Sequence, residues 1–377
     1  MKRRQDDDKK TQTAVVLVIG MFLSLILQIT KFYIFPAYYF NDAGAVQRLM
    51  QVSVQFGKGG TYDTAAFVFQ SMNRILPMDT QMLGGIAIWS LAILPCGWIA
   101  ARSIRSLWEH YILFALYCIL LPVFVWNTHK ETLQFFFFLL LLVAVLCGRD
   151  NSYTADVLII LLTFLWGMLF RSYYMIIAFG IAVFTMLFNE KVDDRNRREM
   201  LCLLLVIGVI GLYIIKIAKP ALLETLFDSR LQVNLPRIGS AQAKTMLQDL
   251  INNPNKSVSL YLVNYLISAI RLLFPFELLF KGVQYVPYCM GQLFWTFMLV
   301  TAIKNCFQKG NQMSWTAKRL LIIVGTWYLV AFLFEPDFGS YIRHQTAMYP
   351  VMFPLLTLRE TACNEAHVVD DKKMVNE

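Results

Sequence analysis

Charge is scarce in this chain of 377 residues, where Asp, Glu, Lys and Arg together make up 16%, and that scarcity excludes a water-soluble domain of ordinary composition. Cysteine is sparse as well. The seven cysteines stand singly, with no paired spacing of a metal site and no framework for a secreted disulfide fold, so they read as packing residues. The sequence contains no HExxH, no P-loop, no CxxC pair and no GxSxG elbow. Metalloprotease, nucleotide-driven and serine-hydrolase chemistries therefore lack local support. An Asp-x-Asp spacing occurs only at Asp6 and Asp8, in a charged N-terminal stretch that reads as solvated rather than as a metal pair. No metal and no cofactor is expected. Internal repeats, low-complexity linkers and a second soluble domain are also missing.

What the chain has in quantity is apolar surface. Hydrophobic residues account for 57%, and the mean hydropathy is +0.53. Runs such as Thr13 to Phe35, Leu83 to Ala101 and Leu201 to Ile217 are long enough, at about 1.5 Å per residue, to cross a hydrocarbon layer about 30 Å thick. The expected class is all-α, a polytopic integral membrane protein with about ten transmembrane helices. They are expected near 13–35, 83–101, 111–127, 132–147, 154–170, 173–189, 200–217, 287–303, 319–335 and 345–358. The first run follows a basic stretch like that of a signal peptide, but it is too long and lacks a small-residue cleavage site, so it is expected to be a retained span.

The net charge of +9 would suggest nucleic acid in a soluble protein. Here the basic residues fall in short loops, where they set orientation. Lys2, Arg3, Arg4, Arg102, Arg105, Arg149, Lys191, Arg195, Arg197, Arg198, Lys304, Lys309, Lys318 and Arg319 share one alternating side. That side is expected to be cytoplasmic, with both termini on it and no nucleic-acid partner. A single transmembrane domain, 1–377, then carries a first external loop at 36–82, an external cap at 218–286 and a cytoplasmic tail at 359–377. Within the cap, 257–280 is apolar but interrupted by Asn264, Ser268, Arg271 and Pro275. It reads as an interfacial or re-entrant helix ending near Pro275, with a tilted crossing as the alternative.

Threaded this way, four charged clusters fall on the outer face. Asp42 follows the first span, where partial desolvation would raise its basicity and suit it to take a proton from a hydroxyl; a water-exposed helix cap is the other reading. His129, Lys130 and Glu131 occupy one tight turn, with Lys130 as a phosphate contact and Glu131 as its orienting partner, or simply as wet loop charges. Arg171 sits between two apolar runs, where a guanidinium can snorkel or bind a phosphate through two parallel hydrogen bonds. Its neighbours Tyr173 and Tyr174 fit an aromatic belt or a sugar-stacking platform. The last cluster, Glu335, Asp337, Tyr341, Arg343 and His344 around Gly339, is the most site-like loop in the chain, although a structural hairpin would also fit. Pro350 and Pro354 are expected to make the helix after it irregular.

Three places carry a resemblance. Tyr39-Phe40-Asn41-Asp42 followed by Tyr62-Asp63 and 67–76, the Lys130-Glu131 pair opening a span, and Gly339-Ser340-Tyr341-Ile342-Arg343-His344 followed by Tyr349-Pro350 resemble the bacterial polysaccharide polymerases of the Wzy and EpsG-like kind. A more distant likeness is to membrane glycosyltransferases of the C-type fold. The resemblance implies residence in the bacterial inner membrane and a polyprenyl-diphosphate-linked oligosaccharide as donor, with a second such molecule as acceptor. It would make O-antigen, capsule or exopolysaccharide, with a chain-length regulator as an open further partner. It also implies Asp42 as base, with Glu131, Glu335 or Asp337 as alternatives because no second acid stands beside Asp42. Lys130, Arg171 and Arg343 would stabilise the departing diphosphate. A transporter of lipid-linked sugars or small anions, a glycan ligase and a single-addition glycosyltransferase are the alternatives that the sequence leaves open.

Overall fold

Inside lipid an apolar run leaves its backbone no hydrogen-bond partner but itself, and this chain answers with helices throughout. The structure, a computed structural model, describes residues 2–52, 54–57, 60–104, 107–148, 153–188, 194–219, 221, 228–235, 238–239, 244–251, 257–309 and 313–358. The expected tail 359–377, much of the expected cap, and Lys58, Arg105, Arg149 and Lys191 lie outside the described residues. Among the described residues there is no strand, only an isolated bridge between Met246 and Asp337.

The first helix, α1 (Lys2–Ile34), leads through a 3-10 turn into the short α2 (Asn41–Met50) and α3 (Thr61–Met72). A run of apolar helices follows: α4 (Gln81–Ser103), α5 (Trp108–Phe124), α6 (Lys130–Cys147), α7 (Tyr153–Leu169), α8 (Tyr174–Leu187) and α9 (Asp194–Ala218). The short α10 (Ser229–Asn234) and α11 (Val258–Leu273) precede α12 (Val286–Lys309), α13 (Trp315–Phe334), α14 (Phe338–Ala347) and α15 (Tyr349–Leu356). As expected, α11 stops before Pro275.

Six of these helices are long and apolar enough to cross a membrane: α1 from Lys10, α4, α6, α9 from Glu199, the helix over Val283–Cys306, and α13. Four more, α5, α7, α8 and α11, are apolar but shorter. The expected last span at 345–358 is broken at Met348 into α14 and α15. Pro350 occupies the first turn of α15, where its missing N–H costs nothing, and Pro354 lies within that helix.

The broken pair lies at the centre. Except for Pro354, every residue of α15 is buried, and the helix packs against α4, α6, α12 and α13. Aromatic edges close the middle: the Tyr117 ring meets Trp295 at 4.8 Å and Tyr349 at 4.7 Å. Gly97 lets α1 approach α4, since a Cβ there would collide with Met21. At the end remote from Lys130, Arg319 of α13 is buried against Asp156 of α7 at 2.6 Å and donates to the Gly148 carbonyl, tying three helices together. By contrast, α9 stands at the edge with none of its spanning window buried.

Candidate functional site

Tight turns and helix ends are where a membrane bundle can hold polar side chains, because their backbone groups already need partners. The turn between α5 and α6 is such a place. Val125 to His129 are all buried, and His129 caps α6 by accepting the Glu131 amide N–H on Nδ1 at 3.2 Å. Starting α6 in this way puts Lys130 and Glu131 on its first turn and Gln134 one turn on.

Four segments bring their charges to this point. Arg171, in the link between α7 and α8, donates from Nη2 to Glu131 Oε1 at 3.1 Å and from Nη1 to Gln134 Oε1 at 2.9 Å and to the Tyr173 hydroxyl at 3.0 Å. From α14, the His344 Nε2 lies 2.8 Å from Arg171 Nη1 and its Nδ1 lies 2.5 Å from Glu335 Oε1. Because the guanidinium carries only donors, Nε2 must accept, which leaves the hydrogen on Nδ1 to be donated to Glu335. Glu131 Oε1 lies 3.3 Å from the same Nε2 and 3.1 Å from Arg171 Nη2, so arginine and imidazole meet on one carboxylate.

The second half of the cluster is wetter. Arg343 donates to Asp42 Oδ2 at 2.8 Å, and Lys130 lies 3.6 Å from the same oxygen. The Tyr62 hydroxyl donates to Asp42 Oδ1 at 2.8 Å and accepts from Lys130 at 2.9 Å. Side-chain exposures separate the two halves: 22% for Asp42, 21% for Arg343 and 17% for Lys130, against 1% for Glu131, 6% for Glu335 and 7% for Arg171. Solvent therefore reaches Asp42, Lys130 and Arg343, while the Glu131, Arg171, His344 and Glu335 string stands behind them as a scaffold. Two cations that share one carboxylate at a rim can exchange that carboxylate for an incoming anion.

The environment of Asp42 corrects the expectation of raised basicity. Burial does push its carboxyl upward, but Lys130, Arg343 and the Tyr62 hydroxyl outweigh burial and hold it below the ordinary value. Burial and the Asp42 carboxylate push the Tyr62 phenol up, so it stays a donor. A carboxylate depressed in the folded state contributes stability that is present above its ordinary value, 3.8, and lost as the pH falls through the folded value. Comparing melting temperatures of wild type and Asp42→Asn from pH 7 down to pH 3, across the ordinary value of 3.8, should show a gap that narrows toward acid. A constant gap would show that Asp42 is not held by these charges.

Of the residues singled out in the sequence, Asp42, His129, Lys130, Glu131, Arg171, Glu335, Arg343 and His344 thus meet. Two do not join them. Asp337 caps α14, accepting the Ser340 amide N–H at 2.7 Å and the Ser340 hydroxyl at 2.9 Å, and that hydroxyl in turn accepts from Arg343 at 3.2 Å. Tyr341 is fully buried, its ring stacked on Trp327 at 6.1 Å, so it is a core residue. Neither Tyr173 nor Tyr174 serves as a simple belt residue, since Tyr173 holds Arg171 and stacks on Phe334 at 5.9 Å and Tyr174 packs against Phe137 at 5.6 Å. Sequence reasoning missed Gln134. Its signal was that it is the one polar side chain in the apolar stretch from Leu133 to Cys147.

No protein-family model, no curated protein and no solved structure matches this chain.

Proposed function

We propose that this protein is a glycosyltransferase of the bacterial inner membrane that joins polyprenyl-diphosphate-linked oligosaccharide units, extending a surface polysaccharide at the outer face. In this reading about ten segments cross the bilayer, the short α5, α7 and α8 included, and both termini are cytoplasmic. The observation that carries the proposal is the rim where Lys130 and Arg343 share the Asp42 carboxylate in front of a buried ionic scaffold. Two cations at the rim of an apolar bundle suit a lipid-linked diphosphate, whose chain stays in the membrane while its charged head meets the protein at the interface.

The chemistry follows from that exchange. A diphosphate entering between Lys130 and Arg343 takes both cations from Asp42. Burial, already the largest single influence on the Asp42 carboxyl, is then no longer outweighed by them and raises its affinity for a proton. An acceptor sugar hydroxyl attacks the anomeric carbon of the donor, its oxygen forming the new glycosidic bond. The bond from that carbon to the phosphate oxygen breaks, the electron pair leaves with the diphosphate, and Asp42 takes the hydroxyl proton. Lys130 and Arg343 stabilise the charge that grows on the leaving group, a task that cations already held in place perform at low cost. Glu131, Arg171, His344 and Glu335 fix Lys130 and Arg343 in place.

The test is surface-glycan length, resolved on a gel, in a host strain lacking this gene and complemented with wild type or Arg343→Ala. Loss of long chains in the deletion, with single repeat units retained and long chains restored by wild type alone, is the expected result. Unchanged length in the deletion strain would sink the polymerase reading and put transport of lipid-linked sugars, or addition of a single sugar, ahead of it.

A further inference from the structure

One buried cation takes no part in the cluster described above. Lys31, in the last turn of α1, is fully buried and has no carboxylate among its hydrogen-bond or ion-pair partners. Its ammonium donates to the Pro122 carbonyl at 2.6 Å, the Trp126 carbonyl at 3.0 Å and the Gln28 side-chain oxygen at 3.0 Å. Aromatic faces close around it, with Nζ 5.2 Å from the Phe32 ring centre and 5.8 Å from that of Phe40. An ammonium with no counter-ion in an apolar bundle is costly unless something negative faces it. Here the negative groups are helix ends. Lys31 lies at the C-terminal end of α1, and the carbonyls it binds belong to the C-terminal end of α5 and the turn after it. The partial negative charges of two helix dipoles and the unpaired carbonyls that go with them converge on one ammonium.

What those carbonyls belong to gives the contact its meaning. The turn that leads into His129, Lys130 and Glu131 is buried and not helical, so its carbonyls need donors other than a helical ladder. The Trp126 oxygen takes Lys31 Nζ and Gln28 Nε2, each at 3.0 Å. The Val125 and Asn127 oxygens take the Asn127 and His129 amide N–H groups at 2.7 and 2.8 Å and share the single Thr132 hydroxyl hydrogen. Val123 takes the Asn127 amide at 3.1 Å. Only the donors of Lys31 and Gln28 come from another helix; the rest are local to the turn and its flanks. Gly85 of α4 makes room for this arrangement, since a Cβ there would collide with the Gln28 amide.

We propose that Lys31, with Gln28 beside it, is a positioning residue that pins the α5–α6 turn to the end of α1 and so fixes where Lys130 and Glu131 stand. The inference rests on the transferase reading for its functional consequence but not for its structural content. It places the register of the site under the control of a helix that contributes no side chain to the rim.

The test uses the full-length protein in lipid nanodiscs and reads histidine acylation by diethyl pyrocarbonate, residue by residue, by mass spectrometry. His129 reports on the turn. His110, equally buried but at the opposite end of α5, reports on the bundle as a whole. In Lys31→Met, His129 should become about fivefold or more faster to react while His110 keeps its wild-type rate, as local opening requires. Gln28→Met, which removes one donor from the same carbonyl and keeps the side chain's length, should raise His129 reactivity less. Should Lys31→Met fail to insert, the Gln28 variant carries the test alone. If His129 is unchanged, or if His129 and His110 rise together, the pin is overturned. Surface-glycan length in cells separates the two layers of the argument. A His129-specific rise with long glycan lost supports the positioning role, whereas the same rise with normal glycan leaves the pin standing and overturns its link to the reaction.

Discussion

Replacing Arg171 with leucine is expected to destabilise the folded bundle by about 3–5 kcal/mol, which is what removing one partner of a buried ion pair costs. The size of the effect comes from what is left behind. Glu131 is almost fully buried, and without the guanidinium its Oε1 faces only His344, whose Nε2 then has no donor either. Gln134 and the Tyr173 hydroxyl lose the same partner. Arg171→Lys keeps the charge but cannot serve Glu131 from one nitrogen and three further acceptors from another, so it should recover only part of the loss. The strongest check is the double variant Glu131→Leu with Arg171→Leu, which removes both charges and should be more stable than Arg171→Leu alone, because no carboxylate is stranded. Reversible unfolding in mixed micelles measures all four proteins. If Arg171→Leu and wild type unfold alike, the scaffold described here does not hold the site.

At Arg343 the expected effect is on turnover rather than on folding. Arg343→Ala should insert at wild-type levels, since the side chain is one-fifth exposed and its partner Asp42 keeps Lys130 and Tyr62. Long polysaccharide should nonetheless be lost, with a fall in rate of about 10²–10³, the usual cost of deleting one preorganised donor to a developing charge. A charge swap distinguishes a structural ion pair from a phosphate contact. Asp42→Arg combined with Arg343→Asp restores a pair across the same gap, and so should recover stability relative to either single change. It puts a carboxylate where the proposed leaving group needs a cation, so long chains should stay absent. Recovery of normal chain length by the swap would mean that Arg343 serves Asp42 alone.

Much of this arrangement is legible in the residues. Hydropathy marks where nearly every long helix lies, because backbone in lipid has few alternatives. It does not tell which helices are long enough to cross unaided, and α5, α7 and α8 are each shorter than the six that qualify. The charged turn at His129 to Glu131, Arg171 and the pair Arg343 and His344 stand out because charge is rare here and each lies at the end of an apolar run. Their pairing is a different matter. Asp42 meets Arg343 across 301 positions of sequence, and Lys130, Arg343 and Tyr62 together reverse the direction in which burial alone would move its carboxyl. Asp337 and Tyr341 share a segment with Arg343 yet point into a cap and into the core, since a helix turns neighbouring residues to different faces. Lys31 is hidden for the opposite reason: at the end of a span it reads as a residue bound for the interface, and only the position of the α5 carbonyls draws it inward.

The central place of α14 and α15 has a consequence for how the protein is made. Among the described helices these come last along the chain, yet they fill the middle of the bundle and deliver His344 and Arg343 to residues made 173 and 301 positions earlier. Until they arrive, α4, α6 and α13 have no common centre to close upon, and Asp42, Lys130 and Glu131 wait without two of their partners. The contacts that close α4, α6 and α13 on α15 can therefore form only after those earlier helices have been made. The site is thus complete only when α14 has joined the residues made long before it.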